Sequence, residues 1–381
     1  MRFSGLRINN LRNHIETDVK FNDVLNVFFG LNGSGKTSIL ESIAICGFSK
    51  TFLPVSDSSL INFDFDFYSI SADAVNDLNV PYKINIAYEK GKKKKINSSI
   101  ADNMLPKDII GVAPIVVLSP DYKAITFGSP DFRRQFLDRL LSQSSKFYME
   151  ELYKFKRAIK QRNALLSMAK FDRRFDLASL SPWTNVLILS GSELIYRRMK
   201  FVEEFRNDFK ETYRTVSDGK ETVDLEYVSY IINGTNTSLS LEQIKDKMSD
   251  IFQKSRNDEI QRGVTLFGPQ KDDLKIMING GVAKEVASQG QHKSLLISIK
   301  LAEFNFLLSK RKETPLILLD DIFSELDGKR MEKVFDLIWS NSAQTFITVT
   351  EPNSIKSIIG QSKRCSFFEV DNGFVNYRNG N

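Results

Sequence analysis

The chain has 381 residues, 41% of them hydrophobic and 26% charged, with a formal net charge of +6. That length buries one large or several ordinary domains, the balance excludes a disordered chain, and no run of about 18 apolar residues proposes a membrane span. Cys46 and Cys365 are the only cysteines and His14 and His292 the only histidines, which excludes a disulfide framework or a Cys/His zinc site.

The opening stretch, MRFSGLRINNLRN, carries no apolar run of secretory type, so a cytoplasmic location is expected. VLNVFF, residues 24 to 29, predicts a buried strand, and Ile39, Leu40 and Ile43 predict the apolar face of a helix. Between them, GLNGSGKTS fits the phosphate-loop pattern through Gly30, Gly35, Lys36 and Thr37, with Asn32, Gly33, Ser34 and Ser38 completing the loop. A loop that joins a strand to a helix N-terminus offers unpaired N–H groups and a favourable dipole to an anion. Lys36 then reaches terminal phosphates and the Thr37 hydroxyl ligates magnesium, so ATP with Mg2+ is the expected ligand pair.

YSISADAV and VPYKINIAY predict two strands, and the Lys92 to Lys95 run between apolar segments predicts a hairpin tip. Residues 119 to 264 are mostly helical in pattern, interrupted by a strand-like VDLEYVSYIING. Within this segment, residues 133 to 174 carry 12 Lys/Arg against 4 Asp/Glu, an excess larger than the net charge of the whole chain. Ser129, Pro130 and Asp131 look like a helix start, with Phe132, Phe136 and Leu140 on its buried face. Arg133, Arg134 and Arg139 are therefore expected to lie outward, and with Lys156 and Lys160 they form a candidate surface for nucleic-acid phosphates.

After KIMING, a turn signal between two short strands, VASQGQHKSLLISIKLAEF opens another helix. Ser288 and Gln291 fit a capping box, and Gly290 N–H with the Ser288 hydroxyl can hold a phosphate. PLILLDDIFSELD then predicts a strand buried on both faces, with Asp320 and Asp321 at its end, where ligands sit in open α/β sheets. Asp320 is the candidate magnesium-associated acid and Asp321 the candidate to polarise an attacking water.

A phosphate loop, then SQGQ, then LLDD and SELD resemble the ABC-type ATPases. That resemblance implies that Ser288, Gln289, Gly290 and Gln291 form a signature acting in trans on ATP held by a second copy, and that Asp327 signals across the dimer. No sustained heptads separate the motifs, which excludes the long coiled-coil branch. The specific resemblance is to the RecF family, through LRINNLRNH, NVFFGLNGSGKTSILESI, VVLSPDYKAITFGSPDFRRQFLDRLL, GPQKDDL, ASQGQHKSLLISIKLAE and LLDDIFSELD. Arg12 and Asn13 match a family motif near the nucleotide. Gln270, Lys271 and Lys293 depart from the family's usual residues while keeping charge or polarity.

The implied fold is an α/β P-loop ABC-type ATPase head, residues 1 to 118 and 265 to 381, with an inserted, mainly helical second lobe, 119 to 264. The implied function is an ATP-driven homodimer that clamps gapped or junction DNA and acts with RecO and RecR to load the recombinase RecA. Asp321 stands where transporters use glutamate, and Thr348 and Thr350 where they place a switch histidine, so hydrolysis is expected to be slow. Two other readings stay open at this level: a nucleotide-gated scaffold without turnover, and the ATPase subunit of a nuclease or defence complex.

Overall fold

The computed structural model describes all residues except 173–174, 218, 233–238, 312, 323–327, 341, 354, 357–363 and 379–381. By its internal contacts the chain divides into two compact units, Met1–Lys123 with Lys293–Asn381, and Ala124–His292. Among the described residues no helix is long and apolar enough to cross a membrane.

In chain order the first unit opens with β1 (Arg2–Leu11), β2 (His14–Lys20), β3 (Leu25–Phe29), α1 (Lys36–Phe48), β4 (Phe67–Val75), β5 (Pro81–Glu89), β6 (Lys95–Ser98), the short α2 (Pro106–Ile109) and β7 (Ile115–Leu118). The second unit holds α3 (Ala124–Phe127), α4 (Pro130–Ser144), α5 (Lys146–Phe171), α6 (Ser181–Val216), β8 (Val223–Val228), α7 (Leu241–Arg262), β9 (Asp273–Ile278), β10 (Gly281–Val282) and α8 (Ala283–Val286). Helix α9 (Gln289–Lys310) leads back, followed by β11 (Leu316–Asp320), α10 (Gly328–Ser340), β12 (Thr345–Val349), β13 (Cys365–Asp371) and β14 (Phe374–Arg378).

Two sheets build the first unit. One is antiparallel, in the order β2-β1-β4-β5-β6; the alternating burial of β4 and β5 is what a sheet with one wet face requires. The other runs β14-β13-β3-β12-β11-β7, parallel except for the edge strand β14. Every residue of β11 and β12 is buried, as the apolar run LILL and the largely apolar TFITV require of a covered parallel sheet. One core cluster joins Phe3 and Ile8 of β1, Ile39 and Ile43 of α1, and Phe28, Leu318 and Phe346 of the parallel strands. The expected hairpin tip at Lys92 to Lys95 is only partly a solvated turn. Lys94 is 6% exposed, pairs with Asp57 at 2.6 Å and donates to the Ser49 carbonyl at 2.6 Å.

In the second unit α4 and α6 pack against the sheet β10-β9-β8, and α5 and α7 pack on α6 and on each other. Residues 265–292, expected with the ATPase head, pack with this unit, because β9 pairs antiparallel with β8. Asn279 and Gly280, both at positive φ, make the expected turn into β10. At the centre lies an ionic network. Arg198 donates to Asp138 at 2.7 Å, the Tyr148 hydroxyl at 3.0 Å and the Pro269 carbonyl at 2.8 Å. Tyr227 donates to Asp272, whose carboxyl burial pushes up to about 6 against the pull of Arg198.

This network corrects the outward placement expected for the α4 arginines. Arg133 is buried and donates twice to Asp273, at 2.7 and 2.9 Å, while Arg134 donates to the Asp272 carbonyl and pairs with Asp131. Arg139 is half-buried, whereas Phe132, expected in the core, is 44% exposed. The carboxylate at the start of β9 draws the arginine face of α4 inward.

Candidate nucleotide site

Strand β3 ends at Phe29, and the loop from Gly30 enters α1 through Gly35, whose φ is 115°. A side chain there is strained, and its Cβ would lie 2.7 Å from His14 Nε2 and 2.8 Å from Asn13 Oδ1, so only glycine fits. No side chain caps α1, which leaves its first N–H groups for a ligand. Ser34 Oγ is buried and finds no hydrogen-bond partner among the described residues, a donor waiting for an acceptor such as a phosphate oxygen.

The loop is held from behind by segments that are remote in sequence. Gly373, in the turn between β13 and β14, donates its N–H to the Ser34 carbonyl at 2.9 Å, and its own carbonyl accepts from Thr17 Oγ1 at 3.0 Å. Gly373 has φ 84°, and a Cβ would meet the Asn13 carbonyl at 2.1 Å. His14 bridges Thr17 Oγ1 and the Gly35 carbonyl at 2.9 Å each, and Asn13 Nδ2 donates to the Gly33 carbonyl at 3.2 Å. Lys36 Nζ bends back to the carbonyls of Gly30 at 2.8 Å and Leu31 at 2.7 Å. Burial draws its pKa below the ordinary lysine value, opposed by the charges of Asp321 and Asp320.

Strand order brings the carboxylates to this loop. β12 lies between β3 and β11, and in register Thr348 faces Phe28 on one side and Asp320 on the other. Asp320 Oδ1 accepts from Thr37 Oγ1 and from Thr348 Oγ1, each at 2.8 Å. Burial raises the Asp320 pKa, with Asp321 and Glu41 adding to the rise and the two threonine hydroxyls opposing it. Asp321 follows at φ 46° and donates its N–H to Thr348 Oγ1 at 2.9 Å. Thr350, also weighed for the switch position, is exposed beyond the strand. The Thr37 hydroxyl and the Asp320 carboxylate are hard oxygen donors of the kind magnesium takes. Among the described residues no three His, Cys, Asp or Glu side chains cluster as a metal cage, so an ion here would draw further oxygens from a phosphate ligand and water.

Asn32, Gly33, Gly35, Lys36, Thr37, Ser38, Arg12, Asn13 and Asp321 line one cleft of about 530 Å3. Gly30 and Ser34 shape the loop behind it. The cleft also takes in Glu41, Asn62 and Phe63, which the motifs did not single out. Arg12 reaches Glu41 at 3.3 Å, and Glu41 accepts from Thr51 at 2.7 Å. Glu41 sits one turn beyond the phosphate loop, a position only its charge amid apolar neighbours could have flagged.

Ser288, Gln289, Gly290 and Gln291 belong to the second compact unit. The capping box is reciprocal: Ser288 N–H donates to Gln291 Oε1 at 2.6 Å and Gln291 N–H to Ser288 Oγ at 3.3 Å. Ser288 and Gln289 are exposed. Asp327 lies outside the described residues. Of the cations expected to meet DNA, Lys156 is 64% exposed beside Asp138, and Lys160 is exposed with Arg157 on the same face of α5.

Fold and site together define a P-loop ATPase head. Residues 2–374 match the family described as RecF/RecN/SMC N terminal domain. The chain is 36% identical over 354 residues to the DNA replication and repair protein RecF of Chloroherpeton thalassium, covering 92% of this chain and 95% of the relative. It is 33% identical over 380 residues to that of Halothermothrix orenii, covering 98% of both. In three dimensions it is similar to the recombination mediator protein RecF-ATP of the RecFOR pathway, with TM-score 0.90, 25% identity, and coverage of 99% and 98%. A likeness at TM-score 0.56 and 14% identity to an Smc head bound to ScpA reflects the fold alone. The chain belongs to the RecF family.

Proposed function

We propose that this protein is a slow ATPase of DNA replication and repair, in which ATP joins two heads around gapped or junction DNA and hydrolysis releases them. The observation that carries this reading is the convergence of Lys36, Thr37, Asp320 and Asp321 at one end of the parallel sheet. ATP enters with its phosphates at the α1 N-terminus, and Lys36 exchanges the Gly30 and Leu31 carbonyls for phosphate oxygens. Thr37 and Asp320 would hold magnesium, which when bound neutralises charge on the phosphates. Asp321, anchored through its N–H to Thr348, orients the attacking water and takes its proton.

Ser288 and Gly290 of a second copy close over the γ-phosphate, so the complete site needs two heads, with Asp327 linking them. The exposed cations Lys156, Arg157 and Lys160 on α5 supply contacts to DNA phosphates, which position without reading sequence. The similar solved RecF-ATP structure is that of a recombination mediator of the RecFOR pathway, which supports RecO and RecR as partners in loading RecA. The test is Asp321→Asn in a phosphate-release assay with gapped duplex DNA. An ATPase loses turnover and keeps ATP binding; a nucleotide-gated scaffold has no turnover in the wild type to lose.

A further inference from the structure

The cleft takes in more than the phosphate loop. Phe63 is 105% exposed, more than any other large hydrophobic side chain among the described residues, yet the backbone on either side of it is tied. Asn62 donates its N–H to the Asn10 carbonyl at 2.9 Å and its side-chain amide to the Arg12 carbonyl at 2.6 Å. Arg12 N–H donates to the Leu60 carbonyl at 2.7 Å, and Phe65 N–H closes on the Asn62 carbonyl at 3.1 Å. A braced turn therefore holds an aromatic ring in water, against the usual drive to bury it. The same cleft is lined by Lys36 and Thr37 in the phosphate loop and by the apolar side chains of Leu53, Ile61 and Phe63. A nucleoside triphosphate has the matching division, an anionic chain and a flat aromatic base.

Resting on the reading of this cleft as the ATP site, we propose that Phe63 is the base-binding residue, stacking its ring on the purine. Stacking on a side chain without donors or acceptors reads ring area and not base edges. The Asn62 amide beside it is already engaged, donating to Arg12 and accepting from Asp64 N–H at 3.1 Å. The ring therefore favours purine over pyrimidine nucleotides and gives similar support to ATP and GTP.

The experiment is calorimetric binding of ATP, GTP, CTP and inorganic tripolyphosphate, with magnesium, to the full chain. The expected result for Phe63→Ala is a loss of about tenfold in ATP and GTP affinity with tripolyphosphate unchanged, whereas Lys36→Ala weakens all four. Phe63→Trp retains ATP affinity, and its emission above the wild-type background is quenched by ATP and not by tripolyphosphate. Equal loss of ATP and tripolyphosphate in Phe63→Ala would overturn the proposal, because the residue would then act on the phosphate loop. Unchanged ATP binding would also overturn it, and if ATP-driven self-association were lost at the same time, Phe63 would belong to a contact between copies. Wild-type protein that bound neither ATP nor tripolyphosphate would refute the nucleotide site itself.

Discussion

Replacing Thr348 with valine keeps the shape of a buried side chain and removes a hydroxyl that serves two neighbours. That hydroxyl donates to Asp320 Oδ1 at 2.8 Å and accepts Asp321 N–H at 2.9 Å. A hydrogen bond to a charged group contributes roughly 1.5–3 kcal/mol and a neutral one roughly 0.5–1.5 kcal/mol, so Thr348→Val should destabilise the first unit by about 2–4 kcal/mol. Asp320 keeps its second donor, Thr37, and the phosphate loop keeps its bracing from His14 and Gly373, so ATP affinity should stay within about threefold, a difference of less than 1 kcal/mol. Asp321 loses the contact that anchors a non-glycine residue at φ 46°. Its carboxylate no longer holds one position, and kcat should fall about tenfold or more, equivalent to roughly 1.4 kcal/mol in the barrier. Phosphate release, ATP binding and denaturant unfolding should be measured together, with Thr348→Ser as the variant that restores the hydroxyl. Wild-type kcat in Thr348→Val would refute the positioning role.

Two further substitutions probe the bracing of the loop and the ionic centre of the second unit. Gly373→Ala forces a Cβ to within 2.1 Å of the Asn13 carbonyl at φ 84°, so calorimetry should show ATP affinity reduced by about tenfold or more as the turn withdraws from Ser34. Asp272 has a pKa raised from 3.8 to about 6, so between these pH values the folded state holds a proton that the unfolded chain has lost. Stability should therefore fall as pH rises from 4 to 6, by up to about 3 kcal/mol, and this component should be level above 6. Asp272→Asn should remove that component, which denaturant unfolding of the two proteins at matched pH values would reveal as a difference that closes on acidification.

What the sequence made legible was local. The phosphate loop, the apolar run of β11, the Asn279–Gly280 turn and the Ser288–Gln291 capping box each lie within a few residues, where periodicity and turn chemistry decide the conformation. Side chains whose environment is set by distant segments escaped it. Arg133 turned inward because its carboxylate, Asp273, arrives from 140 residues away, and no helical pattern within α4 records that. Lys94 left the solvent for Asp57, 37 residues upstream. The bracing of the loop joins Thr17 to Gly373 across 356 residues, and Phe63 looked like an ordinary apolar residue until the fold put it in the cleft.

Closure of ATP between two copies would double the particle mass, which light scattering reads. With ATP and magnesium the wild type should double its 43.5 kDa mass, more completely when gapped duplex DNA is present. Lys36→Ala, which cannot hold the phosphates, and Ser288→Arg, which binds ATP but blocks the partner's approach, should both remain at 43.5 kDa. Doubling by Ser288→Arg, or a wild type that stays monomeric with ATP and DNA together, would contradict it.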